Sequence, residues 1–271
     1  GVRGPTPCYA ENHGHKVPFM SYEADRKEML KEIASKMNKV NPEFVIMTEG
    51  FHDAILDSIS YFHGCVPGCF PDTGRRIASR LTENPTYDLF PEMLRYTYPE
   101  VPLTVRFPSP LMDRTMINYT CVYGLRYEIE SRYIPDRDYL KDGKIPDVED
   151  YGAVRDKPNI ALMQKLLFKD IAAYMKTVSS FQKRHADLLM NGNFNDTEGF
   201  HFEGQGIIAK RFSSEKDVGI MLWNTTDKPA SFTLTVPESQ LASAEEPEEG
   251  SVLPLSDLAP YTLRLVLFTK N

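Results

Sequence analysis

The sequence predicts an α/β domain followed by a small antiparallel β-sandwich, and two observations support this fold class. Up to Gly192, segments with apolar residues at helical spacing alternate with short continuous apolar runs. Such alternation is typical of helices that cover a parallel sheet on both faces. After Gly192 the apolar period falls to about 2 residues, as expected for half-buried antiparallel strands. The predicted domains are therefore residues 1–192 and 193–271.

The first predicted elements form a helix, strand, helix, strand succession. An amphipathic helix is predicted over residues 23–38 and ends at Asn41-Pro42. Residues 44–48 are continuously apolar, which favours a buried parallel strand. A short helix over residues 52–58 and a short strand over residues 60–63 follow.

Proline-rich and charged segments divide the rest of the first domain. Residues 64–92 and 134–157 are predicted as loops. Between them, the pattern predicts a strand over residues 103–107 and a helix over residues 113–125. An apolar stripe over residues 158–192 predicts a long helix that can break once.

The second domain alternates apolar and polar residues. Its predicted strands span residues 206–212, 218–223, 231–236 and 262–268. The acidic run from Glu245 to Gly250 is predicted to be a solvated turn. Asn118, Asn195 and Asn224 each begin an Asn-x-Thr tripeptide, the pattern of N-glycosylation.

The composition excludes several classes of protein. The 271 residues are 41% apolar and 25% charged, which is typical of a globular chain. A formal net charge of −7, without a long basic run, argues against nucleic-acid binding. No apolar stretch approaches the ~18 residues of a transmembrane helix, so no membrane span is expected.

The cysteines give no sign of a disulfide framework or a metal site. There are four of them, Cys8, Cys65, Cys69 and Cys121, which is too few for a disulfide scaffold. The spacing of Cys65 and Cys69 matches no common zinc pattern. Free or buried thiols are favoured over one disulfide, and no cofactor is predicted.

Glu49 is the strongest candidate for chemistry. It follows the apolar strand at residues 44–48, and the carboxyl ends of parallel strands open on active sites in α/β folds. A carboxyl group beside apolar walls can have a raised pKa and act as a general acid. The alternative is an N-cap for the helix that begins at His52. His52 and Asp53 can orient Glu49 or serve as first-turn helix residues.

His13-Gly14-His15 is the second candidate. Two imidazoles at this spacing can bind a divalent metal, donate hydrogen bonds to a substrate, or be ordinary loop residues. The metal interpretation requires an apolar strand directly before the pair. Residues 5–12 are polar and contain two prolines, which weakens the metal interpretation.

Arg106 and several tyrosines complete the candidates. Arg106, at the end of a predicted strand, can bind a carboxylate or a sugar hydroxyl, although a pair with a neighbouring acid is favoured. Tyrosine rings near strand ends can stack on sugars; these are Tyr9, Tyr61, Tyr96 and Tyr98. The sequence contains no G-x-S-x-G elbow, P-loop or G-x-G-x-x-G, which excludes the serine hydrolase, NTPase and dinucleotide-binding interpretations that depend on them.

The order of several short motifs matches a known family. Residues 8–15 run from a cysteine–aromatic pair to His-Gly-His, and a later strand ends in Glu49-Gly50. A long helix ends at residues 188–192, and the second domain carries Leu-Trp-Asn-Thr-Thr at residues 222–226. This order resembles the C-terminal half of glycoside-hydrolase-like (β/α)8-barrel proteins of the Bacteroidetes DUF6259 type. An acid is expected directly after the cysteine–aromatic pair, where this chain has Ala10 and then Glu11.

The resemblance implies a partial or complete (β/α) barrel, sugar hydrolysis and a periplasmic or extracellular location. A full barrel takes about 250 residues, so a domain of residues 1–192 predicts an incomplete one. Glycosidases use two carboxylates, and Glu11 is the best partner for Glu49, with Asp113 behind it. The unpaired edges of an incomplete barrel predict a possible homodimer.

The leading hypothesis is therefore a glycoside hydrolase, or a fragment of one, that acts on carbohydrate through carboxylate acid/base chemistry. Glu49 is the predicted general acid/base and Glu11 the possible second carboxylate. The predicted substrate-binding residues are His13, His15, His52, Arg106 and Tyr9. Two alternatives stay open: a non-catalytic carbohydrate-binding protein, and a metal-dependent hydrolase that uses His13 and His15.

Overall fold

The computed structural model describes two compact units. The described residues are 9–12, 14, 22–49, 53–63, 89–108, 114–130, 138, 141–142, 171–237, 239–252 and 256–270. The units are Gly1–His63 and Gly64–Asn271. Within these described ranges, no helix combines the length and the apolarity needed to cross a bilayer.

The first unit contains the predicted helix and two parallel strands. Helix α1 (Tyr22–Met37) is followed by strand β1 (Met47–Glu49), a 3₁₀ helix (Asp53–Ser58) and strand β2 (Tyr61–His63). The strands pair in parallel, which confirms the predicted α/β arrangement. β1 begins later than predicted, and the short helix is of the tighter 3₁₀ type.

Helix α1 packs mainly through one residue of its apolar stripe. Leu30 is buried, whereas Met29, Ile33 and Met37 are exposed. Lys27 and Lys31 each lie 3.0 Å from the carboxylate of Asp57, which links α1 to the 3₁₀ helix. Hydrogen bonds from these two lysines hold the pKa of Asp57 well below its usual range.

The first described elements of the second unit are a helix and a parallel β-α-β segment. These are helix α2 (Leu89–Thr97), strand β3 (Thr104–Pro108), helix α3 (Arg114–Val122) and strand β4 (Arg126–Glu130). β3 pairs with β4 in parallel, with Thr104 opposite Arg126. The predicted strand over 103–107 and helix over 113–125 are confirmed to within a few residues. The pattern did not predict β4, because its charged residues hide the apolar alternation.

The predicted long helix is divided in the described part of the chain. Helix α4 (Ile171–Arg184) ends one residue before His185, and helix α5 (Ala186–Leu189) follows at once. The apolar stripe of α4 is buried as predicted, with Ile171, Val178 and Phe181 fully covered. Residues 158–170 of the prediction lie outside the described residues.

Two antiparallel sheets complete the second unit, and we call them the two-sheet region. The strands are β5 (Asn193–Asp196), β6 (His201–Gly204), β7 (Ile207–Ser213), β8 (Asp217–Asn224), β9 (Ala230–Thr235), β10 (Ser239–Glu246), β11 (Gly250–Ser251), β12 (Asp257–Leu258) and β13 (Leu263–Lys270). The larger sheet has the order β11-β10-β13-β8-β7-β5 and the smaller β12-β9-β6. The predicted antiparallel strands are confirmed, and five shorter or more polar strands join them.

The larger sheet is covered on both faces. Residues 218–224 of its central strand β8 are all buried. Val218, Ile220 and Leu222 belong to a core shared with Phe232 and Leu258 of the smaller sheet. The alternate residues of β8 lie on the opposite face of the sheet. A Cβ on Gly219 would lie 3.2 Å from Leu188 Cδ1, so α5 approaches the sheet there. The chain on both sides of Gly192 therefore belongs to one compact unit.

Residues 245–250 form a hairpin whose turn exposes Glu248 and Glu249, as predicted, whereas Glu245 and Glu246 beside it are held by ion pairs. Glu245 accepts hydrogen bonds from Arg184 and His185, the latter at 2.9 Å. Buried Glu246 accepts from Arg264 Nε at 2.8 Å. Glu245 and Glu246 each face a cation because the hairpin lies against the helices and against β13. We call residues 245–250 the acidic hairpin.

A third ion pair and a buried amide join α3 to the two-sheet region. Arg114 donates two hydrogen bonds to the Glu248 carboxylate, at 2.9 and 3.1 Å, and its guanidinium lies 4.0 Å from the ring centroid of Tyr174. The Tyr174 hydroxyl donates to Asn118 Oδ1 at 2.6 Å, and Asn118 Nδ2 donates to the Tyr261 carbonyl at 2.7 Å.

Two of the three Asn-x-Thr tripeptides are structural. Asn118 and Asn224 are both 0% exposed, so they are inaccessible to glycosylation in the folded chain. The Asn224 amide donates to the carbonyls of Lys228, Leu258 and Ala259 at 2.7 to 3.0 Å.

Replacing Asn118 with alanine should strongly destabilise the second unit. The change leaves the Tyr174 hydroxyl and the Tyr261 carbonyl without their buried partner, at a cost of about 2 to 4 kcal/mol in the free energy of unfolding. Urea unfolding measures this free energy. Asn191→Ala, at an exposed asparagine, is the control and should change it by less than about 0.5 kcal/mol. Equal effects of the two changes would contradict the assigned role of Asn118.

The Glu245 ion pairs should make the stability depend on pH. Burial opposes ionisation of Glu245, but the hydrogen bonds from Arg184 and His185 outweigh it and lower its pKa. A carboxyl group with a lowered pKa stabilises the fold above its unfolded pKa, and this stabilisation disappears as the pH falls through the folded value. Glu245→Gln should therefore lose less unfolding free energy than the wild type between pH 7 and pH 3. Glu249→Gln, at an exposed acid of the same hairpin, should follow the wild type.

Candidate functional site

Glu49 lies where the sequence predicts it, at the carboxyl end of a parallel strand. It is the last residue of β1 and is paired in register with His63, the last residue of β2. Parallel strands end at the same edge of a sheet, so these two positions are neighbours. The 3₁₀ helix begins at Asp53, four residues after Glu49.

The two faces of the β1–β2 pair differ in burial. Thr48 is 8% exposed and its register partner Phe62 is fully buried. On the other face Met47 is 52% exposed, and the Tyr61 hydroxyl donates to its sulfur at 2.9 Å. Side chains alternate along a strand, so positions 49 and 63 belong to the face of Met47 and Tyr61. A potential acid/base residue thus occupies the more open face of the pair, and the opposite face is packed.

The Thr48 hydroxyl is an unsatisfied polar group behind this edge. Its oxygen is buried and has no hydrogen-bond partner in the described structure. A buried hydroxyl without a partner costs about 1 to 3 kcal/mol. The hydroxyl of Thr48 therefore does not itself stabilise the strand that carries Glu49.

Only some of the other predicted site residues belong to the part of the chain that the structure describes. Tyr9 and Glu11 are described and exposed, with 68% exposure for Tyr9. His13, His15, His52 and Asp113 lie outside the described residues. Within the described ranges, no group of three His, Cys, Asp or Glu residues is arranged to hold a metal ion.

Arg106 belongs to the second unit. It lies in β3, in register with Glu128 of β4. The Glu128 carboxylate accepts a hydrogen bond from Thr104 Oγ1 at 2.9 Å. Cys121 of α3 is a free, buried thiol, and burial raises its pKa to about 12, so it is not a nucleophile at neutral pH.

The second unit also contains a buried charge cluster that no sequence pattern predicts. Lys210 of β7 pairs with Glu92 of α2 and, at 2.6 Å, with Asp196 of β5. Arg95, 3% exposed, lies 5.6 Å from the ring centroid of Phe194. Burial and the charge of Arg126 lower the pKa of Arg95 to about 10. These contacts link α2 to the two-sheet region.

A cavity of about 360 Å³ opens beside this cluster. It is lined by Thr197, Phe200, Phe202 and residues 207–210. The ammonium of Lys210 is already neutralised by two carboxylates, and none of the described lining residues carries a carboxylate. The described lining therefore offers mainly apolar contact.

His63 is the residue that the sequence analysis did not single out. The sequence contains an indication of this residue, because two short apolar runs that form strands end at Glu49 and His63. The register of a parallel pair cannot be read from one sequence, since it depends on how the connecting segment folds.

Comparison with protein-family profiles and with curated proteins finds no match for this chain. Solved structures do match. The maltogenic α-amylase AmyB of Thermotoga neapolitana has a TM-score of 0.53 at 10% identity, over 90% of this chain and 59% of its own. Amy13B of Eubacterium rectale has a TM-score of 0.52 at 9% identity, over 94% of this chain and 58% of its own.

An α-amylase from Anoxybacillus gives a third match, with a TM-score of 0.50 at 13% identity. It covers 90% of this chain and 56% of that structure. At these identities the likeness shows a shared fold. The chain spans between 56% and 59% of the length of the three structures, so it corresponds to a part of such a fold.

Replacing Thr48 with valine should stabilise the first unit or leave its stability unchanged. The two side chains have the same shape, and the change removes a buried hydroxyl that has no partner. The expected gain in the free energy of unfolding is about 1 kcal/mol in urea denaturation. Thr233→Val, at an exposed threonine of β9, is the matched control, with an expected change near zero. A clear loss of stability in Thr48→Val would show that the hydroxyl has a partner.

Proposed function

We propose that this chain is part of a glycoside-hydrolase-like protein of the DUF6259 type and that Glu49 supplies a carboxyl group for cleavage of a glycosidic bond. The observation that carries the proposal is the place of Glu49. It ends a parallel strand, on the face where Met47 is half exposed, beside His63. The fold likeness to three α-amylases supports the same class of reaction.

The chemistry requires a second carboxyl group. Two carboxyl groups about 5 Å apart give retention of configuration, and a separation of about 6.5 to 9.5 Å gives inversion. Glu11 is the proposed partner in this chain, with Asp113 as the next candidate. Because the chain spans less than two thirds of the similar structures, a partner from a further part of the fold would serve equally.

The remaining roles are substrate binding. Imidazole and guanidinium groups donate hydrogen bonds to sugar hydroxyls, and an exposed tyrosine ring can stack on a sugar face. The proposed binding residues are His13, His15, His52, Arg106 and Tyr9. In the described residues β1–β2 and β3–β4 each form a two-stranded sheet, so unpaired edges support the proposed homodimer. We propose a periplasmic or extracellular location on the family resemblance alone.

Glu49→Gln should abolish most of the hydrolytic activity. Glutamine keeps the size of the side chain and removes the acid/base group, so kcat/KM should fall by about 10²-fold or more. The assay follows release of reducing sugar from soluble starch and of nitrophenol from a panel of aryl glycosides. Glu43→Gln is the matched control, because Glu43 is exposed and precedes β1.

Three outcomes would contradict the proposal. Full activity in Glu49→Gln would remove Glu49 from the reaction. Binding of starch without hydrolysis by the wild-type chain would favour a non-catalytic carbohydrate-binding protein. Activity that a chelator removes and a divalent metal restores would favour the metal-dependent hydrolase.

A further inference from the structure

We propose that Arg95 binds a small carboxylate through the parallel N–H groups of its Nε and Nη2 atoms, in a site where helix α2 meets strand β5. This site is separate from the proposed glycosidase chemistry, because none of the residues assigned to hydrolysis takes part in it. It stands whether or not the chain cleaves a glycosidic bond.

The guanidinium of Arg95 is buried with unsatisfied hydrogen-bond donors. Arg95 is 3% exposed, and its Nε and Nη2 atoms are buried without a hydrogen-bond acceptor among the described residues. Its Cζ lies 5.6 Å from the ring centroid of Phe194, a contact that attracts the cation but leaves these two donors without an acceptor. Because unsatisfied buried donors are costly, a ligand that accepts from both of them would be bound favourably.

The two unsatisfied donors lie on one edge of the guanidinium plane. The N–H of Nε and the nearer N–H of Nη2 point in the same direction, and their spacing matches that of the two oxygens of a carboxylate. A carboxylate in this plane accepts both hydrogen bonds at once, whereas a halide ion offers one acceptor centre. The pair of atoms left unsatisfied therefore favours a bidentate ligand.

Other arginines of the second unit show what this fork usually binds. Arg264 donates to the buried Glu246 carboxylate from Nε, at 2.8 Å, and from Nη2. That pair uses the same two atoms that are unsatisfied in Arg95. A carboxylate on Arg95 would repeat a contact that the chain already makes.

The acids beside Arg95 are held by another cation. Glu92 precedes Arg95 by three residues on α2, and its carboxylate accepts a hydrogen bond from Lys210. Asp196 of β5 accepts from the same ammonium at 2.6 Å. Lys210 therefore draws both carboxylates to itself, and neither accepts from Nε or Nη2 of Arg95.

The charges around Arg95 favour a ligand with one negative charge. Arg126 donates to the neutral carbonyl of Met190 at 3.0 Å, and its positive charge acts on Arg95. Burial and this like charge lower the pKa of Arg95 to about 10, so the guanidinium stays protonated at neutral pH in surroundings that disfavour it. Arg95, Arg126 and Lys210 with the two acids leave one positive charge in excess, which a monocarboxylate neutralises. The low exposure of Arg95 restricts the ligand to a small one, and formate is the probe.

Thermal unfolding of the full chain in sodium formate tests the site. Trp223, the one tryptophan of the chain, lies in β8, so its fluorescence reports on unfolding of the second unit. A ligand that binds the folded state raises the Tm as its concentration rises. At about ten times the Kd of formate, the Tm should be about 3 to 5 °C higher than in sodium chloride of the same ionic strength.

Two variants separate the fork from the charge. Arg95→Lys keeps the positive charge and lacks the two parallel donors, so its Tm should be the same in formate and in chloride. Arg95→Met, which also removes the charge, should behave in the same way. Lys183→Met, at an exposed cation of α4, is the control and should keep the full difference between the two salts.

Equal Tm values of the wild type in formate and in chloride would overturn the proposal. A difference that persists in Arg95→Lys would overturn it too, because the effect would then be a general one of the salt. If neither variant folded, the NMR line width of ¹³C-labelled formate with the wild-type chain would decide. Broadening that an excess of unlabelled formate reverses is the expected result, and a line width unchanged by the protein would contradict the site.

Discussion

Parallel pairing of short strands, each pair with helical segments beside it, is the constraint on which the candidate site depends. A parallel pair brings both carboxyl ends to one edge, and packing of one face leaves the other for chemistry. In the first unit, Thr48 and Phe62 take the packed face, so Glu49 and His63 are assigned to the face that carries exposed Met47. A shift of the register by one residue would transfer Glu49 to the packed face, where an unpaired carboxylate is costly.

A different principle holds the second unit together. Its larger sheet is packed on both faces. Oppositely charged groups pair where the acidic hairpin meets the helices and β13. The acidic hairpin contacts Arg114 of α3, Arg184 of α4 and Arg264 of β13 through three different carboxylates. Exposed ion pairs contribute little to the free energy of unfolding. Breaking the buried pair of Glu246 with Arg264 would, by contrast, strongly destabilise the unit. The helices and the two-sheet region therefore behave as one unit.

The sequence predicts those parts of the fold that depend on local periodicity. Helix α1, the strand that ends at Glu49, and the central strands of the larger sheet all show clear apolar spacing. No local apolar spacing indicates strand β4, the short edge strands or the ion pairs of the acidic hairpin. These features depend on contacts between residues far apart in the chain. The same reason explains the site. The position of Glu49 at the end of a predicted strand identified it from the sequence. His63 joins the candidate site only through the register of β1 and β2. The other predicted histidines, His13, His15 and His52, lie outside the described residues.

Chemical rescue of a Glu49→Gly variant by sodium azide tests the central claim most directly. The missing carboxyl side chain leaves room for a small anion, and azide can attack the anomeric carbon in place of activated water. If Glu49 is the working carboxylate, the variant should be nearly inactive on an aryl glycoside. Azide should then restore release of the aryl group with formation of a glycosyl azide. Undiminished hydrolysis by Glu49→Gly in the absence of azide, with water as the only nucleophile, would contradict the account.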